Sequence, residues 1–150
     1  MGYNEILQSE WGYEVIERDL LEYLQADVTL TTALGGVQKI CVIQAQALLK
    51  MPYLTIEPTP GTRVRIGANK IEEVVSVRIS LDYGPLQIAS GRAAIERAKY
   101  LIENYRGNLN GANDILITCG GIGSWAGLAG CNRSQFTALC KFTETLVNRP

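Results

Sequence analysis

Apolar residues recur along this chain with two different periods, and the places where the period changes mark its organisation. In YEVIERDLLEYLQ (13–25), Ile16, Leu20, Tyr23 and Leu24 share one side, while Glu14, Glu17, Arg18, Glu22 and Gln25 take the other. That 3.6-residue spacing predicts an amphipathic helix. Asp27 is placed to cap a shorter helical turn through TLTTAL, and Gly35-Gly36 supply its stop.

From residue 37 the period shortens to two. QKICVIQA (38–45) reads as a strand, and Pro52 opens a second strand, YLTIE. PTPGTRVRIGANK (58–70) holds two prolines, two glycines and an asparagine, and reads as a long loop or hairpin tip enclosing a short strand, TRVRI. The clearest strand is IEEVVSVRISLDY (71–83): Val75, Val77, Ile79, Leu81 and Tyr83 share one face, and Ser76, Arg78, Ser80 and Asp82 the other. A second long helix, GRAAIERAKYLIENY, follows with Ser90 as its cap, Gly107 as its stop, and Ala94, Ala98, Leu101, Ile102 and Tyr105 as its apolar stripe. The strand DILIT (114–118), a glycine-rich connection and an alternating run, SQFTALCKFTETLV (134–147), close the chain. In that last run Phe136, Ala138, Cys140 and Phe142 point one way.

Runs of consecutive strands between two helices predict an α+β fold in one domain (1–150): an antiparallel or mixed β-sheet of about five to six strands, with two main helices packed on one face. A hydrophobic share of 47% over 150 residues is enough for a real core. The net charge of -1 gives no cationic field for a nucleic-acid backbone. The N-terminal MGYNEILQSEWGYEV has neither a basic n-region nor an apolar h-region, and no run approaches the ~20 apolar residues of a membrane span. The expectation is a soluble protein made in the cytoplasm, with no membrane partner.

Catalytic chemistry finds little support. The chain has no His, so Ser-His and Cys-His pairs and mixed Cys/His zinc sites are excluded. Its four cysteines (Cys41, Cys119, Cys131, Cys140) include no C-x-x-C pair and read as small buried hydrophobes. Glu72 and Glu73 face opposite ways on a strand and read as solvated surface. Gly121, Gly123 and Ala126 spell G-x-G-x-x-A after a strand, but such a fingerprint works only when a helix N-terminus follows it. GLAGCNRSQF leads instead into a period-2 run. No catalytic residue, cofactor or metal site is expected.

Interaction surfaces are better represented. Arg63, Arg65 and Lys70, with Arg78, concentrate basic charge on 61–78, and alternation sets Arg63 and Arg65 on one side of the strand, away from Val64 and Ile66. Such a stripe either steers an acidic protein partner or guards a sheet edge against aggregation. Trp125, set among glycines, either packs on its own subunit or faces a neighbouring one. These four residues, Arg63, Arg65, Lys70 and Trp125, are the candidate subunit or partner interface.

The leading LEYLQADVTLTTALGG, the Pro-led strand KMPYLTIE, the V-x-V-x-I strand in EEVVSVRISLDY, the helix GRAAIERAKYLIENYRG and two closing strands together resemble the tail terminator (tail completion) proteins of long-tailed bacteriophages. The resemblance implies a structural virion protein that forms a homohexameric ring at the head-proximal end of the tail. It implies partners in the tail tube protein and a head–tail connector or neck protein, with DNA passing through the ring without sequence-specific recognition. Two other readings stand beside it: another neck or head–tail joining ring protein, and a small α+β ligand-binding domain using the Gly120–Gly130 loop.

Overall fold

The computed structural model describes residues 16–42, 50–105, 115–126 and 130–145. Helix α1 occupies 16–25, and Ile16, Leu20 and Leu24 on its inner stripe are fully buried. Asp27 then caps α2 (Val28–Leu34) by accepting the Leu30 N–H at 2.8 Å. Gly35 ends α2 in the left-handed region (φ 92°), so that the Gly35 and Gly36 amides both reach the Thr31 carbonyl. Both punctuation marks stand where the sequence placed them.

Six strands form one mixed sheet in the order β1-β2-β3-β6-β4, with β5 also on β6. They are β1 (Ile40–Val42), β2 (Tyr53–Arg65), β3 (Lys70–Tyr83), β4 (Ile115–Cys119), β5 (Gly123–Ala126) and β6 (Asn132–Thr145). β1 runs parallel to β2, and every other pairing is antiparallel. β3 and β6 pair over their whole length, from Lys70↔Thr145 to Tyr83↔Asn132. Helix α3 (Ile88–Glu103) crosses from β3 to β4 and leaves β6 between the two.

Alternation puts Val75, Val77, Ile79, Leu81 and Tyr83 of β3 beside Phe136, Ala138, Cys140 and Phe142 of β6 on the helix-covered face, all of them buried. Leu54 and Ile56 of β2 join them, and α3 contributes Ala94, Ile95, Ala98, Leu101 and Ile102. Gly91 lets α3 sit close to the sheet, since a Cβ there would lie 2.8 Å from the Tyr83 ring. Tyr23 on α1 donates to the Leu101 carbonyl at 2.7 Å and meets Tyr105 edge to face. The layer arrangement is therefore the expected one: an α+β fold with its helices on one side. No described helix is long and apolar enough to cross a membrane.

Several local expectations are corrected. The segment 58–65 is no loop: β2 continues through it, and only 66–69 separate β2 from β3. Three steps along β2, Pro60 to Arg63, match two along β3, Val75 to Glu73, which is a β-bulge. Gly61 sits in that bulge because a Cβ would run into the Val74 carbonyl. Ser90 does not cap α3; the helix starts at Ile88, and the Ser90 hydroxyl donates back to the Gln87 carbonyl inside the first turn. Glu73 is not solvated but 3% exposed, because its parity places it on the helix side with Val75. The expected strand 38–45 begins with a 3-10 turn (Val37–Lys39); its end, residues 43–45, and the Gly107 stop lie outside the described residues.

The glycine-rich stretch is also rebuilt. Gly123–Ala126 is a strand that continues β4 along the same edge of β6, after a shift in which four steps from Cys119 to Gly123 match three from Ala138 to Gln135. Residues 123–126 of the expected glycine-rich connection are thus strand, and 120–122 join β4 to β5. The glycines lead into β5 and then β6, so a phosphate cradle lacks the helix N-terminus it requires.

Candidate assembly surface

The sheet face turned away from the helices carries the even positions of β3 and the odd positions of β6. Its charges come as cross-strand pairs. Arg78 Nε lies 3.5 Å from Glu57, and Lys141 Nζ lies 3.6 Å from Glu72. Both pairs are half exposed and contribute little on their own. The third is different: Arg133 reaches Asp82 with Nε at 2.7 Å and Nη2 at 3.0 Å, and Asp82 is only 1% exposed. Burial and the neighbouring Asp82 carboxylate push the Tyr53 phenol above its ordinary range, which places Tyr53 in the same cluster. Between the charges this face exposes large apolar side chains: Leu116 on β4, Leu139 on β6 and Trp125 on β5.

The structure separates the four expected interface residues. Trp125 is 47% exposed beside Arg133, its cross-strand partner, at the Asp82 end of the sheet. Lys70 begins β3 at the opposite end, about 40 Å away at roughly 3.4 Å per strand residue. There Arg65 donates to the Ala68 carbonyl at 2.8 Å, and Ile66 donates to the Lys70 carbonyl at 3.0 Å, closing the hairpin tip. Arg63 is half-buried opposite Glu73 on the helix side. Arg63 and Arg65 do share a side away from Val64, as alternation requires, but that side is the one the core occupies. Val64 and Ile66 are the exposed large apolar side chains of the tip, where Arg65 and Lys70 are exposed as well. Arg78 lies mid-sheet on the other face and does not belong to the tip cluster.

Two features escaped the sequence reading. The Asp82–Arg133 pair joins residues fifty-one positions apart, and nothing local in either segment signals it. Exposed Leu139 was legible: it shares parity with Gln135, Thr137 and Lys141, the outward positions of β6. On the helix side, Arg97 grips Asp27 through Nε at 3.1 Å and Nη2 at 2.7 Å, tying α3 to the cap of α2. The hydrogen bond from Arg97 holds the Asp27 carboxyl below its usual value.

Thiol chemistry is muted at two of the cysteines. Burial, reinforced by Glu103, pushes Cys119 up to about 11, and deeper burial pushes Cys140 up to about 12. Both thiols therefore stay protonated near neutral pH and behave as packing groups. Among the described residues, no group of His, Cys, Asp and Glu is arranged to hold a metal ion.

No family model matches the sequence, and no curated protein matches it. Among solved structures, the fold is similar to that of a chain in the virion of a native gene transfer agent (GTA) particle. The TM-score is 0.64 at 13% identity, over 83% of this chain and 92% of that one. At that identity the match is one of fold, and it shows that the α+β arrangement is shared with a chain of that particle over most of the length of both.

Proposed function

We propose that this chain is a structural subunit of a phage-like virion, a tail terminator that forms a homohexameric ring at the head-proximal end of the tail. In this role it caps the tail tube, ends its polymerisation and presents a surface to the head connector. The observation that carries the reading is the fold likeness, over 83% of this chain, to a chain of a gene transfer agent virion. The element order that resembles tail terminators supports the finer assignment. A sheet face with balanced charge pairs and exposed Leu116, Leu139 and Trp125 suits burial over an extended area better than capture of a small molecule.

The same features fit another neck or head–tail joining ring, which differs in where it sits and not in how it is built. Native mass spectrometry of the purified chain, with electron microscopy in the presence of tail tubes, tests the ring. A six-subunit species that binds tube ends supports the assignment. A monomer at high concentration that ignores tube ends overturns it.

A further inference from the structure

A ring of identical subunits closes through two different surfaces of one chain, because a contact between like surfaces stops at a pair. Two exposed surfaces here are opposite in sign. At the β2–β3 hairpin tip, residues 64–70 carry Arg65 and Lys70 and no carboxylate. Val64 and Ile66 stand half-exposed on either side of Arg65. The bonds to the Ala68 and Lys70 carbonyls hold this tip in shape. The second surface lies on the helix layer, where Val28 is 75% and Tyr100 57% exposed. Both flank the Asp27–Arg97 pair: Val28 follows Asp27, and the Arg97 guanidinium carbon lies 5.3 Å from the centre of the Tyr100 ring. Exposed Glu96 and Glu103 stand one helical turn to either side of Tyr100. Residues 16–34 add four carboxylates against one arginine, Arg18, which lies 3.4 Å from Asp19. Of the cations on α3, Arg97 is taken up by Asp27, Lys99 is half-buried, and Arg92 lies two turns from Tyr100. The last turn of α3 holds no basic residue, so Glu103 adds its charge to the negative end of the helix dipole. A cation brought from outside relieves that arrangement. All of these residues lie inside the described segments 16–42 and 50–105.

We infer that the hairpin tip of one copy packs on the Val28–Tyr100 face of the next, head to tail around the ring. Charge complementarity names the occupant. A basic, apolar tip suits an acidic, apolar face, whereas tip against tip or face against face sets like charges together. In this contact Val64 and Ile66 cover Val28 and the Tyr100 ring, and the cations of the tip face the carboxylates of the helix layer. The inference rests on the reading of the chain as a self-assembling ring subunit.

Two variants, each disabling one side of the contact, test it by native mass spectrometry. Ile66→Asp puts a carboxylate on the tip, and Val28→Lys puts a cation on the face. Both positions are exposed, so both variants are expected to keep the wild-type circular dichroism. Each alone is expected to stay monomeric at concentrations where the wild type assembles. Mixed in equal amounts at high concentration, they are expected to form a one-to-one heterodimer and nothing larger, since one usable tip and one usable face remain between them. Raising the salt from about 0.05 M to about 0.5 M is expected to raise the midpoint concentration of wild-type assembly by at least about tenfold. Ring formation by either variant alone overturns the inference and leaves the ring reading standing. Failure of the mixture to associate, or a midpoint indifferent to salt, does the same. A wild-type chain that stops at a dimer, or stays monomeric at high concentration, overturns both.

Discussion

Removing Arg133 leaves a carboxylate in the wrong place. Asp82 is 1% exposed and takes two hydrogen bonds from the Arg133 guanidinium, with the Cys131 thiol at 3.8 Å as a weak third donor. Breaking a fully buried pair costs about 3–5 kcal/mol, because the remaining ion has lost its water and its partner. Arg133 itself is 34% exposed, so part of that loss is recovered by solvent, and Arg133→Met is expected to cost about 2–3 kcal/mol. With a urea slope of about 2–3 kcal/mol/M, the unfolding midpoint falls by roughly 1 M. Asp82→Leu is expected to cost less, since the freed guanidinium can turn to water. The double variant Arg133→Met/Asp82→Leu is then expected to be more stable than Arg133→Met alone. Urea unfolding at one fixed protein concentration measures all four corners of the cycle, since assembly makes stability concentration-dependent. An Arg133→Met cost below about 0.5 kcal/mol, or simple additivity, would mean that the pair behaves as a solvated surface bridge, and the reasoning about Asp82 would fail.

Three further outcomes are expected. Gly61→Ala forces its methyl against the Val74 carbonyl in the β2 bulge and is expected to cost about 1–3 kcal/mol in urea unfolding, whereas Gly67→Ala, with open space at the hairpin tip, is expected to be nearly neutral. The Asp27 carboxyl is held below its unfolded value by Arg97, so its stabilisation is present above that value and lost as pH falls through the folded one. Asp27→Asn should therefore flatten the loss of stability seen on acidification below about pH 4, and an unchanged acid profile would count against the Asp27–Arg97 contact. Cys119 and Cys140, pushed up to about 11 and about 12, are expected to react with iodoacetamide at pH 8 more than a hundredfold slower than in the urea-unfolded chain, roughly in step with their thiolate fractions. Mass mapping of the alkylated residues checks this, and rapid labelling of native Cys140 would contradict its placement in the core.

The sheet's central strands and the helix faces were legible because one force set them. Where one face is buried, period-2 alternation puts Val75 to Tyr83 and Phe136 to Phe142 inward without help from long-range context. The same reasoning failed at 58–65, where Pro58, Pro60 and Gly61 suggest a break. Both prolines nevertheless sit in register against β3, at Pro58↔Val77 and Pro60↔Val75, because the pairing of β2 with the long β3 strand overrides the local signal. Glu73 was misjudged because its charge was weighed above its parity, and parity decided. The edge strand Gly123–Ala126 was hidden by glycines that locally signal a turn, although its pairing with β6 comes from residues farther along the chain. Of the candidate interface residues, the sequence reading named Trp125 and the basic tip. It could not show that they stand at opposite ends of the sheet, since that follows from the β3–β6 register.

The central claim concerns a place in the virion, and tail length reports on that place directly. Electron micrographs of particles assembled without this chain should show tails longer than wild type and unattached to heads, because tube polymerisation loses its stop. Tails of normal length without heads would move the chain to a joining ring of the neck. Tails of normal length joined to heads would contradict the account.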